Sequence, residues 1–145
     1  MTVVSREIAA SADQVFAVLS DGWTYASWVV GASRIRHVDA SFPAPGAEIH
    51  HSVGSWPMLV DDTTSVIACE PGRRLELRVR AWPFGEGFVG LTLHDEGDTT
   101  TVDMEEHTVN GPAKLLPKPA EAVALKARNR EALRRLAYLA EGRSR

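Results

Sequence analysis

The sequence predicts an α+β fold in which a curved antiparallel sheet of about seven strands wraps around a long C-terminal helix. Apolar and polar residues alternate in six runs between residues 34 and 109, and such alternation is typical of half-buried strands. One further strand and two short helical patterns precede these runs, and a single long helical pattern follows them. One long helix can bury its apolar stripe against such a sheet only if the sheet curls around it.

Length and composition limit the kinds of protein that this chain can be. The chain has 145 residues, 44% hydrophobic and 24% charged, so we expect a single domain over residues 1–145. A net charge of -3 offers no basic footprint for a nucleic acid. No apolar run is long enough to predict stable membrane insertion, and Met1 to Glu7 lacks a signal-peptide core. We therefore expect a cytoplasmic protein; the sequence carries no signal of its oligomeric state.

The first strand, Val3 to Ile8, runs directly into a predicted helix. Ser11 is in position to cap this helix, and Gln14 follows three residues later, where it would complete a capping box. Ser20, Asp21 and Gly22 then end the helical pattern.

A second short helix is predicted from Trp23 to Val29. It carries three large aromatic residues, Trp23, Tyr25 and Trp28. We expect them to plug the closed side of the fold, although the Tyr25 hydroxyl could instead contact a ligand.

The remaining elements are six strands and the final helix. Gly, Pro and Asp separate the strands, so short turns should join them into an antiparallel meander. The predicted strands are Arg34 to Asp39, Glu48 to Ser55, Leu59 to Cys69, Arg74 to Ala81, Phe88 to His94 and Thr100 to Val109. The helix should begin at about Ala120 and end before Gly142. Its stripe at steps of three and four contains Ala122, Leu125, Asn129, Ala132, Leu136 and Leu139.

Four landmarks in this order resemble a known superfamily. They are the opening segment Ile8 to Phe16, the segment Trp23 to Trp28, the turn Glu70 to Leu75 and the terminal helix. Together they resemble the START-like superfamily, also called the birch-pollen-allergen or polyketide cyclase/dehydratase and lipid-transport superfamily, over essentially the whole chain. The resemblance implies a helix-grip fold with an internal cavity. It does not imply one reaction, because the superfamily includes carriers, hormone receptors, aromatase/cyclases and chaperone activators.

Strand alternation predicts which side chains face this cavity, because successive side chains point to opposite faces of a sheet. The inward set is predicted to contain Ile49 and His51, then Leu75, Leu77 and Val79, then Val89, Leu91 and Leu93, and finally Val102, Met104 and Glu106. His51 and Glu106 are therefore candidate buried polar groups. Asn129, the one polar residue of the helix stripe, could orient a ligand carbonyl or contact water in the cavity.

Two turns that contain Trp and Pro should lie at one end of the sheet. Successive turns of a meander alternate between its ends, so the turns at Trp56 and at Trp82 to Gly85 should share an end with Asn110 to Pro112. In the superfamily that the chain resembles, this end is the cavity entrance. Trp56, Trp82 and Phe84 would then form an aromatic rim, or each Trp would simply close its own hairpin.

The sequence is compatible with three functions. The first is binding of a small hydrophobic molecule, lipid-like, polyketide-like or aromatic. The second is a polyketide cyclase or dehydratase that uses Glu106 and His51 as an acid/base pair. The third is a protein-binding module. We rank binding first because the inward face is nearly all apolar. The candidate ligand-binding residues are Trp28, His51, Trp56, Val79, Trp82, Phe84, Leu91, Met104, Glu106, Leu125 and Asn129.

Other kinds of site find no support in the sequence. His50 and His51 are adjacent on a strand and should face opposite ways, so we expect no metal site. The sequence has no Gly-rich phosphate loop and no nucleophile elbow, and we expect no cofactor. The single cysteine, Cys69, is expected to be a buried or half-buried thiol.

Overall fold

The fold was obtained as a computed structural model that describes residues 1–53, 60–81, 85–115 and 117–143. These residues form seven strands and three α-helices in the predicted order. The strands are β1 (Thr2–Ile8), β2 (Ala32–Val38), β3 (Glu48–Val53), β4 (Val60–Glu70), β5 (Arg74–Ala81), β6 (Gly85–Asp95) and β7 (Thr100–Asn110). The helices are α1 (Ala12–Ser20), α2 (Tyr25–Trp28) and α3 (Lys118–Arg143). Within these ranges, no helix has both the length and the apolar character needed to cross a membrane.

The seven strands form one curved antiparallel sheet in the order β1-β7-β6-β5-β4-β3-β2. Strands β2 to β7 make the predicted meander, and β1 pairs with the outer edge of β7. Helix α3 packs against β1 and β7 and also contacts α1 and α2. Its buried residues include Leu133 and Leu136. The predicted helix-grip fold is confirmed.

The capping box at the start of α1 is present as predicted. The Ser11 hydroxyl oxygen accepts a hydrogen bond from the Gln14 backbone N–H at 3.2 Å, and Gln14 Oε1 accepts one from the Ser11 N–H at 2.9 Å. These bonds satisfy two N–H groups that the first turn would otherwise leave unpaired. The helix that follows buries Val15 and Val18 completely.

The segment after α1 differs from the prediction of one helix from Trp23 to Val29. A 3-10 turn over Gly22–Thr24 comes first, and α2 covers only Tyr25–Trp28. A 3-10 turn has three residues per turn instead of 3.6, so its side chains do not continue the face of the next helix. Trp23 is 59% exposed, and the expectation that it plugs the fold is wrong.

Other boundaries differ by up to three residues. Strand β2 begins at Ala32 and not at Arg34, and α3 extends to Arg143 instead of ending before Gly142. Helix α3 begins at Lys118, before the predicted start at Ala120, because Pro119 in a first helical turn breaks no helical hydrogen bond. Strand β6 begins at Gly85 and not at Phe88. The backbone of Gly85 has φ +136°, and a Cβ there would collide with the carbonyl oxygen of Asn110, so only glycine allows this close approach.

The predicted strand alternation is confirmed on β5, β6 and β7. The inward residues Leu75, Leu91 and Val102 are almost completely buried. On the outer face, Arg74 Nη2 donates to Glu105 Oε1 at 2.6 Å and to Glu76 Oε1 at 3.2 Å. The alternation therefore separates an apolar concave face from a convex face on which charged residues pair with each other.

Candidate ligand cavity

A cavity of about 100 Å³ lies between one end of the sheet, α2 and the middle of α3. Strands β5, β6 and β7 supply an apolar wall that contains Leu77, Val79, Val89 and Met104. The segment after α2 adds Val29 to Ala32, and Ala132 closes the cavity from α3. Strand pairing places these sheet residues near the end formed by Ala81, Gly85 and Asn110, which is the end predicted for the entrance.

The structure brings together six of the residues that the sequence singled out. Trp28, His51, Val79, Met104, Glu106 and Asn129 all line the cavity. Leu91 is fully buried but belongs to the packed core, where it pairs with Leu75 and Met104. Leu125 is half-buried one turn before Asn129, and neither leucine is among the described cavity residues. Trp56, Trp82 and Phe84 lie outside the described residues, and the aromatic rim stays a prediction.

A chain of hydrogen bonds joins α2 to the sheet inside the cavity wall. The Tyr25 hydroxyl lies 2.9 Å from Thr64 Oγ1, and Thr64 Oγ1 lies 2.9 Å from His51 Nε2. The Tyr25 ring also stacks on the His51 ring with centroids 5.6 Å apart, and meets the edge of Trp28 at 5.7 Å. Tyr25 and Trp28 thus form part of the cavity wall, and the expectation that they plug the closed side is wrong.

Burial keeps the side chains of Tyr25 and His51 uncharged at neutral pH. Desolvation raises the pKa of Tyr25 to about 12, and the charge of Glu106 adds to this effect, while Thr64 and Arg128 oppose it. Desolvation also lowers the pKa of His51, although the Thr63 carbonyl and the charge of Asp62 oppose the shift. A low-dielectric environment disfavours the ionised form of each group, which is phenolate for tyrosine and imidazolium for histidine.

A second polar element crosses the cavity from the sheet to α3. The Glu106 carboxylate on β7 is buried, and the Arg128 guanidinium donates a short hydrogen bond to its Oε2. The Arg128 side chain is 42% exposed, so the pair lies between the cavity and solvent. The guanidinium supplies the counter-charge that a buried carboxylate needs.

Glu106 and His51 share the cavity but have different partners. His51 Nε2 bonds to Thr64, Glu106 bonds to Arg128, and His51 Nδ1 has no hydrogen-bond partner among the described residues. The direct acid/base dyad that would favour an enzyme is therefore not present in this arrangement.

Sequence reasoning did not select three of the polar residues at this site. Thr64 shares the inward face of β4 with Val66, so strand alternation could have identified it. Arg128 follows Leu125 by three residues and precedes Ala132 by four, which also places it at the edge of the inward stripe. Tyr25 carried no pattern that separated a ligand contact from ordinary packing.

The adjacent histidines of β3 and the single cysteine lie in different surroundings. His51 faces the cavity, whereas His50 faces the other way, toward His37, with ring centroids 5.5 Å apart. Within the described ranges, no three His, Cys, Asp or Glu residues form a group suited to a metal ion. Cys69 is half-buried, and burial raises the pKa of its thiol, which disfavours the reactive thiolate.

A family model described as polyketide cyclase / dehydrase and lipid transport matches residues 2–141. The chain belongs to this family. No curated protein sequence matches the chain.

Solved structures show the same fold at low sequence identity. The Zhui aromatase/cyclase from Streptomyces sp. R1128 is 18% identical with a TM-score of 0.74, over 99% of this chain and 94% of that chain. A START superfamily protein from Mycobacterium smegmatis is 19% identical with a TM-score of 0.66, over 98% and 94% of the two chains. DynU16, a protein of the dynemicin biosynthetic locus, is 25% identical with a TM-score of 0.67, over 97% of this chain and 46% of that chain.

Proposed function

We propose that the protein binds a small, mainly apolar molecule in the cavity between the sheet, α2 and α3. The observation that carries the proposal is the composition of this cavity. Leu77, Val79, Val89 and Met104 line it together with a few buried polar groups, which is the usual make-up of a small-molecule site. Membership of a family that includes lipid transport in its description supports the same function.

The volume of the cavity favours the smallest members of this ligand class. At about 100 Å³ it is below the roughly 300 Å³ at which sites for drug-sized ligands begin. A buried water needs about 10–15 Å³ of this measure, so the space suits a molecule of about ten non-hydrogen atoms. One or two fused rings, or a short acyl chain, would fit without rearrangement.

The first test is whether the purified protein retains or selects an apolar ligand. Native mass spectrometry with organic extraction would identify a co-purified molecule, and a thermal-shift screen would compare one- and two-ring aromatics with short and long fatty acids. We expect small aromatic compounds to raise the melting temperature. If no apolar compound binds, the proposal fails and the protein-binding alternative takes its place.

Two variants that fill the cavity from opposite walls provide the structural control. Ala132→Phe on α3 and Val89→Phe on β6 should each abolish the ligand-induced rise in melting temperature, because the added ring occupies the site. Ala127→Phe places the same ring on the exposed face of α3 and should leave the rise unchanged. If the ligand still raises the melting temperature of both filling variants, the binding site lies elsewhere.

The second candidate function is a cyclase or dehydratase reaction in the same cavity. The observation that favours it is a carboxylate and an imidazole buried together, Glu106 and His51. The Zhui structure, titled an aromatase/cyclase, has the same fold. In such a reaction Glu106 would have to exchange its bond to Arg128 for a contact with the substrate.

Turnover of a bound compound would separate these two functions. The ligand from the screen would be incubated with the protein and followed by liquid chromatography and mass spectrometry. For an enzyme, Glu106→Gln and His51→Ala should abolish conversion while the cavity still binds the compound. An unchanged ligand after prolonged incubation with the native protein would favour binding alone.

A further inference from the structure

We infer that Tyr25 and Thr64 hold the His51 proton on Nδ1, and that His51 and Asn129 together select apolar ligands that carry an acceptor oxygen. The chemical class is a ketone, quinone or ester with no hydrogen to donate at that oxygen. This inference deepens the proposed function and rests on it.

The hydrogen bonds that join Tyr25, Thr64 and His51 can run in either of two directions. If Tyr25 donates to Thr64 and Thr64 donates to His51 Nε2, both hydroxyl protons have acceptors and the ring proton lies on Nδ1. In either direction His51 Nδ1 has no partner among the described residues, and in the reverse direction the proton of the buried Tyr25 hydroxyl has none either. Unpaired buried polar groups are costly and rare, so the first direction, which leaves one such group instead of two, is favoured.

The neutral His51 ring can carry its proton on either of two nitrogens. Burial lowers the pKa of His51, so at neutral pH the ring carries one proton and the two tautomers are the only choices. Thr64 occupies the Nε2 lone pair as a donor, and this leaves Nδ1 as the protonated nitrogen.

Two N–H groups of the cavity wall lack hydrogen-bond partners among the described residues. His51 Nδ1 and Asn129 Nδ2 are both buried, and neither has a hydrogen-bond partner in the described part of the chain. Hydrogen bonding to the Thr63 backbone raises the pKa of His51, but Nδ1 has no acceptor at full hydrogen-bond geometry within the described residues. The two residues line the cavity from opposite walls, β3 and α3. An acceptor oxygen on the ligand is the partner that both N–H groups need.

This arrangement also assigns roles if the protein is an enzyme. With Nε2 accepting from Thr64 and Nδ1 protonated, His51 has no free lone pair with which to take a proton. His51 would then polarise a ligand carbonyl by donating to it, as Asn129 does. Proton abstraction would fall to Glu106.

The tautomer can be measured without any ligand. Long-range ¹H–¹⁵N correlation spectra of the ¹⁵N-labelled protein distinguish the two ring nitrogens, and the spectrum of His51→Gln identifies the His51 signals. We expect His51 Nδ1 to be protonated in the native protein, and Thr64→Val to produce a mixture of tautomers. Thr64→Ser should restore the native spectrum, and Thr63→Val, on the neighbouring residue, should not change it. An Nε2-protonated ring in the native protein would overturn the inference.

Ligand selection is tested with two compounds of matched shape, 1-indanone and indane. Isothermal titration should show roughly tenfold tighter binding of the ketone, the scale expected for one or two added hydrogen bonds. Asn129→Leu and Thr64→Val should each reduce this preference, whereas Thr63→Val should retain it. Equal affinities would overturn the selection of acceptor oxygens and leave the proposed apolar binding intact. If neither compound binds, both the binding proposal and the ligand class fail, and the spectra still decide the tautomer.

Discussion

The two ends of the concave face use the same strands but differ in what fills them. At the closed end, Leu75, Leu91 and Val102 of the sheet belong to one hydrophobic cluster with Leu133 and Leu136 of α3, and all five are almost completely buried. At the cavity end, the next inward residues along the strands are Leu77, Val89 and Met104, and these are again apolar. Their neighbours from the helices are Tyr25, Arg128 and Asn129.

The difference shows that polar side chains, from both the helices and the sheet, mark the end that stays open. On β5 the inward residues Leu75, Leu77 and Val79 are apolar along the strand, but β3 and β7 add His51 and Glu106 at the cavity end.

Helix α3 presents leucines from Leu133 onward, whereas the turn before them presents Asn129 and the small Ala132. A close-packed core therefore forms around Leu133 and Leu136, while the turn from Arg128 to Ala132 leaves space beside polar groups.

Truncation of one leucine at each end should show the largest contrast. Leu75 and Leu77 are on the same face of β5, but only Leu77 lines the cavity. We expect Leu75→Ala to cost about 3–4 kcal/mol of unfolding free energy, because it opens a new cavity in a packed region. Leu77→Ala should cost about 2 kcal/mol, since it enlarges a space that already exists. Urea denaturation would measure both, and equal losses would contradict the comparison.

Alkaline pH should reveal the buried phenol at the cavity end. The pKa of Tyr25 is about 12 in the folded protein and 10.0 for the unperturbed side chain. The protonated Tyr25 hydroxyl makes its full contribution to the unfolding free energy below pH 10. This contribution is lost as the pH rises to 12, because the unfolded chain releases the proton first. Two pKa units correspond to about 3 kcal/mol.

Tyr25→Phe isolates this contribution from other effects of alkali. The difference in unfolding free energy between the native protein and Tyr25→Phe should fall between pH 10 and 12. Tyr138→Phe, at an exposed position of α3, should follow the native protein over the whole range. If Tyr25→Phe and the native protein lose stability in parallel, the Tyr25 hydroxyl is not buried as described.

The smallest contrast concerns two arginines of α3. Arg128 is paired with the buried Glu106, whereas Arg134 pairs with the exposed Glu131 at 3.4 Å. We expect Arg128→Met to cost about 1 kcal/mol, because it leaves a buried carboxylate without its counter-charge although the arginine itself is partly solvated. Arg134→Met should cost less than about 0.5 kcal/mol. Urea denaturation of the two variants would compare them, and a larger loss for Arg134→Met would refute this ranking.

The sequence allowed the fold to be predicted because several independent patterns agree. Period-two alternation identified the strands, the Ser11 and Gln14 pair marked the start of α1, and the stripe through Ala132 and Leu136 identified α3. Each of these patterns depends on residues that are close in sequence. The resulting errors were small, such as the start of β6 at Gly85, where the permitted backbone depends on a contact with Asn110.

What the sequence determined by itself was the inward position of three polar residues, His51, Glu106 and Asn129. Alternation on a strand and the turn of a helix are local geometry, and local geometry follows from spacing along the chain. What only the tertiary structure decided was the partner of each group. His51 bonds to Thr64 and, through it, to Tyr25, while Glu106 pairs with Arg128. These partners come from different elements, and their contacts depend on how α2 and α3 pack on the curved sheet.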